Sequence, residues 1–239
     1  MNLRYATRAL ALLVALVVLA PEAPVLAVAP DPADIRPEID WKKIPFGAKR
    51  KRQMAAYSER HYGERAWELT DPQVVVQHFT AGTSFDSAWS YFAANGRHLG
   101  EKPGVCAQFV IDTDGTIYQL VNLGIRCRHA IGMNWTAIGI EHVGTSADDI
   151  LRNGPMIRAS LRLTVWLMAR YGISSGNVIG HAEILQSPFH HELYEDWRCS
   201  THADWNRREM RTYRRKLKRT ARRLDVPIGD GPEWVDSGC

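Results

Sequence analysis

The chain has 239 residues, of which 45% are apolar and 23% charged, with a formal charge of +4. That composition is ordinary for a globular protein and excludes a disordered or fibrous chain. The length suits one α/β domain with extra segments at its ends, and the modest net charge does not by itself mark a nucleic-acid-binding protein.

At the N-terminus, Arg4 and Arg8 precede an apolar run over residues 9–20 that is too short for a comfortable membrane span, and Val25-Leu26-Ala27 offers small residues for cleavage. Residues 1–27 therefore read as a secretory signal peptide. The expectation is a secreted or extracytoplasmic protein (periplasm or cell envelope) with no stable membrane span once the signal is removed. Residues 28–47 read as a proline-rich linker, and residues 48–72 as an N-terminal helical extension whose helix, 49–62, stops at Gly63.

Asp71-Pro72 marks a turn before a first core strand over 73–79, and residues 86–94 suit a short helix ending near Asn95-Gly96. Residues 107–112 and 116–121 flank Thr113-Asp114-Gly115, a strong hairpin signal. A further strand spans 136–143. Its Gly139 has no side chain, so another group can approach the backbone closely. In 156–171, Ile157, Leu161, Val165 and Met168 share one helical face and Gly172 is placed to end it. A short strand over 177–179 leads into Gly180-His181. The segment 206–239 reads as a basic amphipathic helix and tail, with Met210, Tyr213, Leu217 and Leu224 at helical spacing. This alternation predicts an α/β fold: a central mixed β-sheet flanked by helices, with one catalytic domain over 73–205.

Cys106, Cys127, Cys199 and Cys239 all lie beyond the signal, and an even number in an exported chain suggests up to two disulfides. Cys106 with Cys127 is the first pair to test, because a hairpin between them brings them together. A reduced, metal-ligating Cys199 near His202 is the competing reading. The basic clusters at 49–52 and 207–223 suit an anionic envelope polymer better than nucleic acid in an exported protein, or simply a solvated helix face.

His78, His181 and His202 each stand at or just after the end of an expected element, where rigid placement and access coincide. Catalytic zinc sites take three protein ligands and leave a fourth position open. Glu141, ending the run Ile138-Gly139-Ile140, is the carboxylate suited to moving a proton. Asp204 is the alternative third ligand; otherwise it caps the helix that follows.

In order along the chain stand Gln77-His78-Phe79-Thr80, the stretch from Phe109 to Gln119, Arg128-His129-Ala130, Asn134, Ile138-Gly139-Ile140-Glu141 and Val178-Ile179-Gly180-His181. Together they resemble zinc-dependent N-acetylmuramoyl-L-alanine amidases of the type-2 amidase and peptidoglycan-recognition-protein group. The resemblance implies a Zn2+ cofactor and hydrolysis of the amide between N-acetylmuramic acid and L-alanine, in a monomer that takes peptidoglycan or muropeptides as partner. It implies zinc on His78 and His181, catalysis by Glu141, and substrate contacts from His129 and Asn134. Where many members have Lys-x-Asp or Lys-x-Cys, this chain has Ser200-Thr201-His202, which implies His202 as third ligand and Ser200 in place of the lysine, with Arg198 nearby. A tyrosine found near the metal in some relatives is replaced by Ala107. The alternative is a peptidoglycan-binding module that keeps the groove but does not hydrolyse.

Overall fold

Six strands form one sheet in the order β1-β4-β3-β5-β2-β6 in the computed structural model, which describes residues 29–230 and 234–239. The expected signal peptide lies outside the described residues. In chain order the elements are β1 (Asp40–Trp41), α1 (Ala48–Tyr62), β2 (Val74–Phe79), α2 (Phe85–Ala94), β3 (Phe109–Ile111) and β4 (Ile117–Gln119). There follow β5 (Ala137–His142), α3 (Ala147–Arg152), α4 (Gly154–Tyr171), β6 (Val178–Gly180) and α5 (Arg207–Arg223). Only the β3–β4 hairpin is antiparallel; the other pairs are parallel. The sheet is therefore mixed and flanked by helices, as the sequence predicts. No helix of the described residues is long and apolar enough to cross a membrane.

β2 reads Val-Val-Val-Gln-His-Phe, and the two-residue period puts Val74, Val76 and His78 on one face and Val75 and Gln77 on the other. Val74 and Val76 pack with Ala130, Met133, Ile179 and Ile184, whereas Val75 joins the large cluster with Trp166, Tyr213 and Leu217 of α4 and α5. Both faces are covered, so the strand is apolar almost throughout. α4 is capped by Asn153, which accepts from the Met156 N–H, and ends at Gly172 in a left-handed conformation.

Beneath the sheet runs a buried polar chain whose direction is fixed at one end. The His78 carbonyl can only accept, so His142 Nδ1–H donates to it (2.7 Å) and His142 Nε2 accepts from Ser160 (2.8 Å). Tyr213 sits between Ser160 and Thr164, 2.8 Å from each, and Gln77 reaches Thr164 at 3.4 Å. Burial pushes His142 down to about 4, so it stays neutral. The chain ties β2 and β5 to α4 and α5.

The proline-rich stretch is not a free linker. Its Asp40 and Trp41 add an edge strand beside β4, and Ile35 and Ile44 are buried. The extension is equally integrated, since Met54 and Tyr57 of α1 are fully buried. Both cysteine pairs are disulfides, Cys106–Cys127 and Cys199–Cys239. The reading of Cys199 as a reduced metal ligand is thereby excluded: its sulfur is bonded to Cys239.

Candidate metal centre

Strand register assembles the site. His78 on β2 stands directly beside Glu141 on β5, and Gln77 beside Gly180 on β6, so His181 emerges next to His78. The third donor comes from the loop before α5. Asp204 Oδ2 lies 3.3 Å from His78 Nδ1, and Asp204 Oδ1 lies 3.1 Å from His181 Nδ1. In a tetrahedral site with bonds of about 2.0–2.2 Å, neighbouring donors lie about 3.3–3.5 Å apart. The three side chains therefore have the spacing of a metal triad; they are the His78, His181 and Asp204 group whose ligand atoms all fall within 4.8 Å.

Hydrogen bonding also sets the histidine for this task. His129 Nε2 faces the Ala137 carbonyl (3.3 Å), so it carries the proton and leaves Nδ1 as an acceptor. His78 Nε2–H donates to that Nδ1 at 3.0 Å. His78 Nδ1 faces the Asp204 carboxylate at 3.3 Å, and a cation held there would take both groups as ligands. Burial pushes His78 down to about 4, so it is neutral at neutral pH. Burial alone would raise the Asp204 carboxyl, but the facing His181 and His78 outweigh it and hold it well below the usual range. Both shifts suit metal ligation.

Two glycines make room. A β-carbon on Gly139 would lie 2.8 Å from the His129 ring, and one on Gly180 only 1.7 Å from the Trp205 carbonyl oxygen. Trp205 has φ +55°, is fully buried, and packs against Tyr213 and His142. It anchors the turn that aims Asp204 inward, and the Ala182 N–H donates to the Asp204 carbonyl (3.0 Å). Glu183 accepts from the Gly180 N–H (3.1 Å) and is held by both terminal nitrogens of Arg214 at 2.7 and 2.8 Å.

The sequence-predicted residues separate into three groups. His78, His181, Glu141 and His129 line one cleft of about 450 Å³, together with Asp204 and His202. His202 is not among the three residues whose ligand atoms fall within 4.8 Å of one another. Its side chain is 67% exposed and meets Asp204 Oδ1 through Nδ1 at 2.8 Å, outside the triad. Asn134 stands behind the cleft, fully buried. Its Oδ1 accepts from the His129 and Ala130 N–H groups, and its Nδ2 donates to Tyr62 Oη. Arg198 is an exposed partner of Glu195. The contributions of Gly180, Trp205 and Arg214 were not singled out from sequence; the Gly immediately before His181 was the available signal.

Glu141 Oε2 is buried and has no hydrogen-bond partner among the described residues. Burial, and then the Asp204 charge, push its carboxyl up to about 8. A carboxylate of raised proton affinity without a partner thus stands in one cleft with a His-His-Asp group that could hold a metal ion.

The family model described as N-acetylmuramoyl-L-alanine amidase (Amidase_2) matches residues 68–204. The chain belongs to this family. A relative, N-acetylmuramoyl-L-alanine amidase A of Achromobacter lyticus, is 39% identical over 71 residues, covering 29% of this chain and 40% of that protein. Among solved structures, the amidase LysC from Clostridium intestinale URNW is 18% identical, covering 80% of this chain and 100% of that one, with a TM-score of 0.47. The amidase AmiD from E. coli, solved with anhydro-N-acetylmuramic acid-L-Ala-D-gamma-Glu-L-Lys, is 24% identical, covering 47% and 49%, with a TM-score of 0.39.

Proposed function

We propose that the protein is an extracytoplasmic zinc amidase that hydrolyses the bond between N-acetylmuramic acid and L-alanine in peptidoglycan. The observation that carries this reading is the unpartnered Glu141 carboxylate in one cleft with His78, His181 and Asp204. Family membership supports this bond and this polymer.

His78, His181 and Asp204 would hold the metal. The chemistry zinc supplies when bound is Lewis acidity, which polarises a carbonyl and acidifies water. Glu141, with its raised proton affinity, takes a proton from the attacking water and returns it to the departing L-alanine nitrogen. His129 fixes the tautomer of His78, and Asn134 fixes the backbone of His129. With Asp204 as the third ligand, the acid of the Lys-x-Asp pattern is Asp204 and His202 stands in the lysine's place. There its imidazolium form, with Nδ1–H on Asp204, would offer Nε2–H at the mouth of the cleft to a developing oxyanion. The complete ligand set beside Glu141 supports hydrolysis over a module that only binds.

The test is mass spectrometry of digested peptidoglycan. Stem peptides with a free L-alanine amine should appear, and Glu141→Ala should abolish them with zinc still bound. Cleavage between sugars or within the peptide would overturn the assignment.

A further inference from the structure

α5 carries ten basic side chains and a single acid, Glu209. With +4 for the whole chain, everything outside this helix sums to −5. The positive charge of the protein is thus concentrated on one element, and on one side of it. Met210, Tyr213, Leu217 and Ala221 are fully buried, while Arg211, Arg215, Lys218, Arg219 and Arg222 are exposed. Those five meet no acidic side chain among the described residues; the ion pairs of the helix belong to Arg208 and Arg214. Seating α5 on the core requires only its apolar stripe. An uninterrupted row of like charges at i, i+4 weakens a helix, so it is a cost without return unless a ligand neutralises it.

We infer that this face of α5 docks a linear phosphodiester polymer of the cell wall, a polyol-phosphate chain carried by the peptidoglycan the cleft acts on. The choice of a wall polymer rests on the proposed function; the choice of a polyanion does not. The cationic row from Arg211 to Arg222 runs about 17 Å at 1.5 Å per residue, a track for a chain and not a socket for one anion. Guanidinium forks, which dominate it, match phosphate oxygens in pairs. A charge on every monomer lets several arginines engage together, as sparse stem-peptide carboxylates do not. An anionic bilayer fits less well. The apolar stripe of α5 is spent on the core, leaving nothing to insert, and Trp234 beside the row is flanked by Arg207 and Arg214. Two disulfides place the chain in an oxidising compartment, away from nucleic acid.

The probe is soluble polyglycerol phosphate, with affinity measured on the full zinc-loaded protein between about 50 and 200 mM salt. Wild type should bind with a steep salt dependence. The variant Arg211→Gln/Arg215→Gln/Arg219→Gln/Arg222→Gln should lose at least about tenfold in affinity and flatten the log–log slope by roughly 3, near 0.7 per charge removed. Cleavage of a small soluble muropeptide, read separately, should be unchanged, so failure of docking and failure of the amidase reading are distinguishable. The matched four-lysine variant should keep most of the binding. Equal binding by wild type and the glutamine variant overturns the inference, as does preference for anionic vesicles or duplex DNA at matched phosphate. If the glutamine variant does not fold, a wild-type slope equivalent to fewer than about two released ions overturns it equally.

Discussion

The backbone carbonyl of Trp205 lies on Gly180 so closely that a β-carbon there would be 1.7 Å from the oxygen. This contact seats the Asp204 turn beside His181. Gly180→Ala should therefore displace the turn, costing of the order of 3 kcal/mol by overpacking and abolishing stoichiometric zinc binding. Metal per chain and thermal unfolding read the two effects. Retention of full zinc would show that the contact does not set the site.

Asp204 and His202 differ in kind. Asp204→Ala should remove zinc, because a buried ligand is lost; His202→Ala should leave about one zinc per chain and lower turnover roughly 10–1,000-fold. Zinc analysis together with muropeptide hydrolysis decides it. Loss of metal on removing His202 would restore it to the ligand set.

Glu141→Gln should cut hydrolysis about 10²–10⁴-fold with zinc retained. It should also change how stability depends on pH in the zinc-free protein. The Glu141 carboxyl ionises near 4.5 when the chain is unfolded and near 8 when folded. Below 4.5 both states hold the proton, so the group contributes nothing to the difference. Between 4.5 and 8 the unfolded chain loses its proton while the folded one keeps it, so stability falls as pH rises. The glutamine variant lacks this decline and should gain on wild type across that window in parallel denaturant titrations. Parallel curves would refute the raised proton affinity.

Arg214→Gln leaves the Glu183 carboxylate, 1% exposed, without its cation. The predicted result is destabilisation of about 3 kcal/mol and weaker zinc binding through the Gly180–His181 segment. Restoration of zinc affinity by the paired Arg214→Gln/Glu183→Gln variant would tie the effect to the lost ion pair.

Replacing Cys106 and Cys127 with alanine opens a loop of sequence separation 21 and should lower stability by about 3 kcal/mol. Chemical denaturation measures it. Because Cys106 and Arg128 also line the cleft, KM should rise more than kcat falls.

The sheet was legible where periodicity was strong. The run Val74-Val75-Val76 and the Asp114-Gly115 turn announced β2 and the β3–β4 hairpin, and the capped apolar stripe announced α4. β1 was hidden because its two residues are both exposed and lie amid prolines. α3 is only six residues long, and its signal is little more than the Ser146 cap. His78 and His181 were singled out because one stands near the end of β2 and the other directly follows β6. The inward choice of Asp204 over His202 was not, since both lie on one short loop. The positive φ of Trp205 and its contact with Gly180, 25 residues away in the chain, decide which one turns inward. Asn134 was expected in the groove because the family resemblance implies it; its buried bond to Tyr62 of α1 places it behind the cleft.

The adjacency of β5, β2 and β6 also bears on how the molecule comes into being. All three pair in parallel, so each junction requires a long crossover and a large loop-closure entropy before any contact repays it. Residues 78, 141, 181 and 204 meet only after those closures. High contact order of this kind makes folding slow, and it leaves no local fragment able to capture the ion early. Zinc uptake should follow the rate-limiting step of folding and serve as a kinetic signal that the chain has reached its final topology.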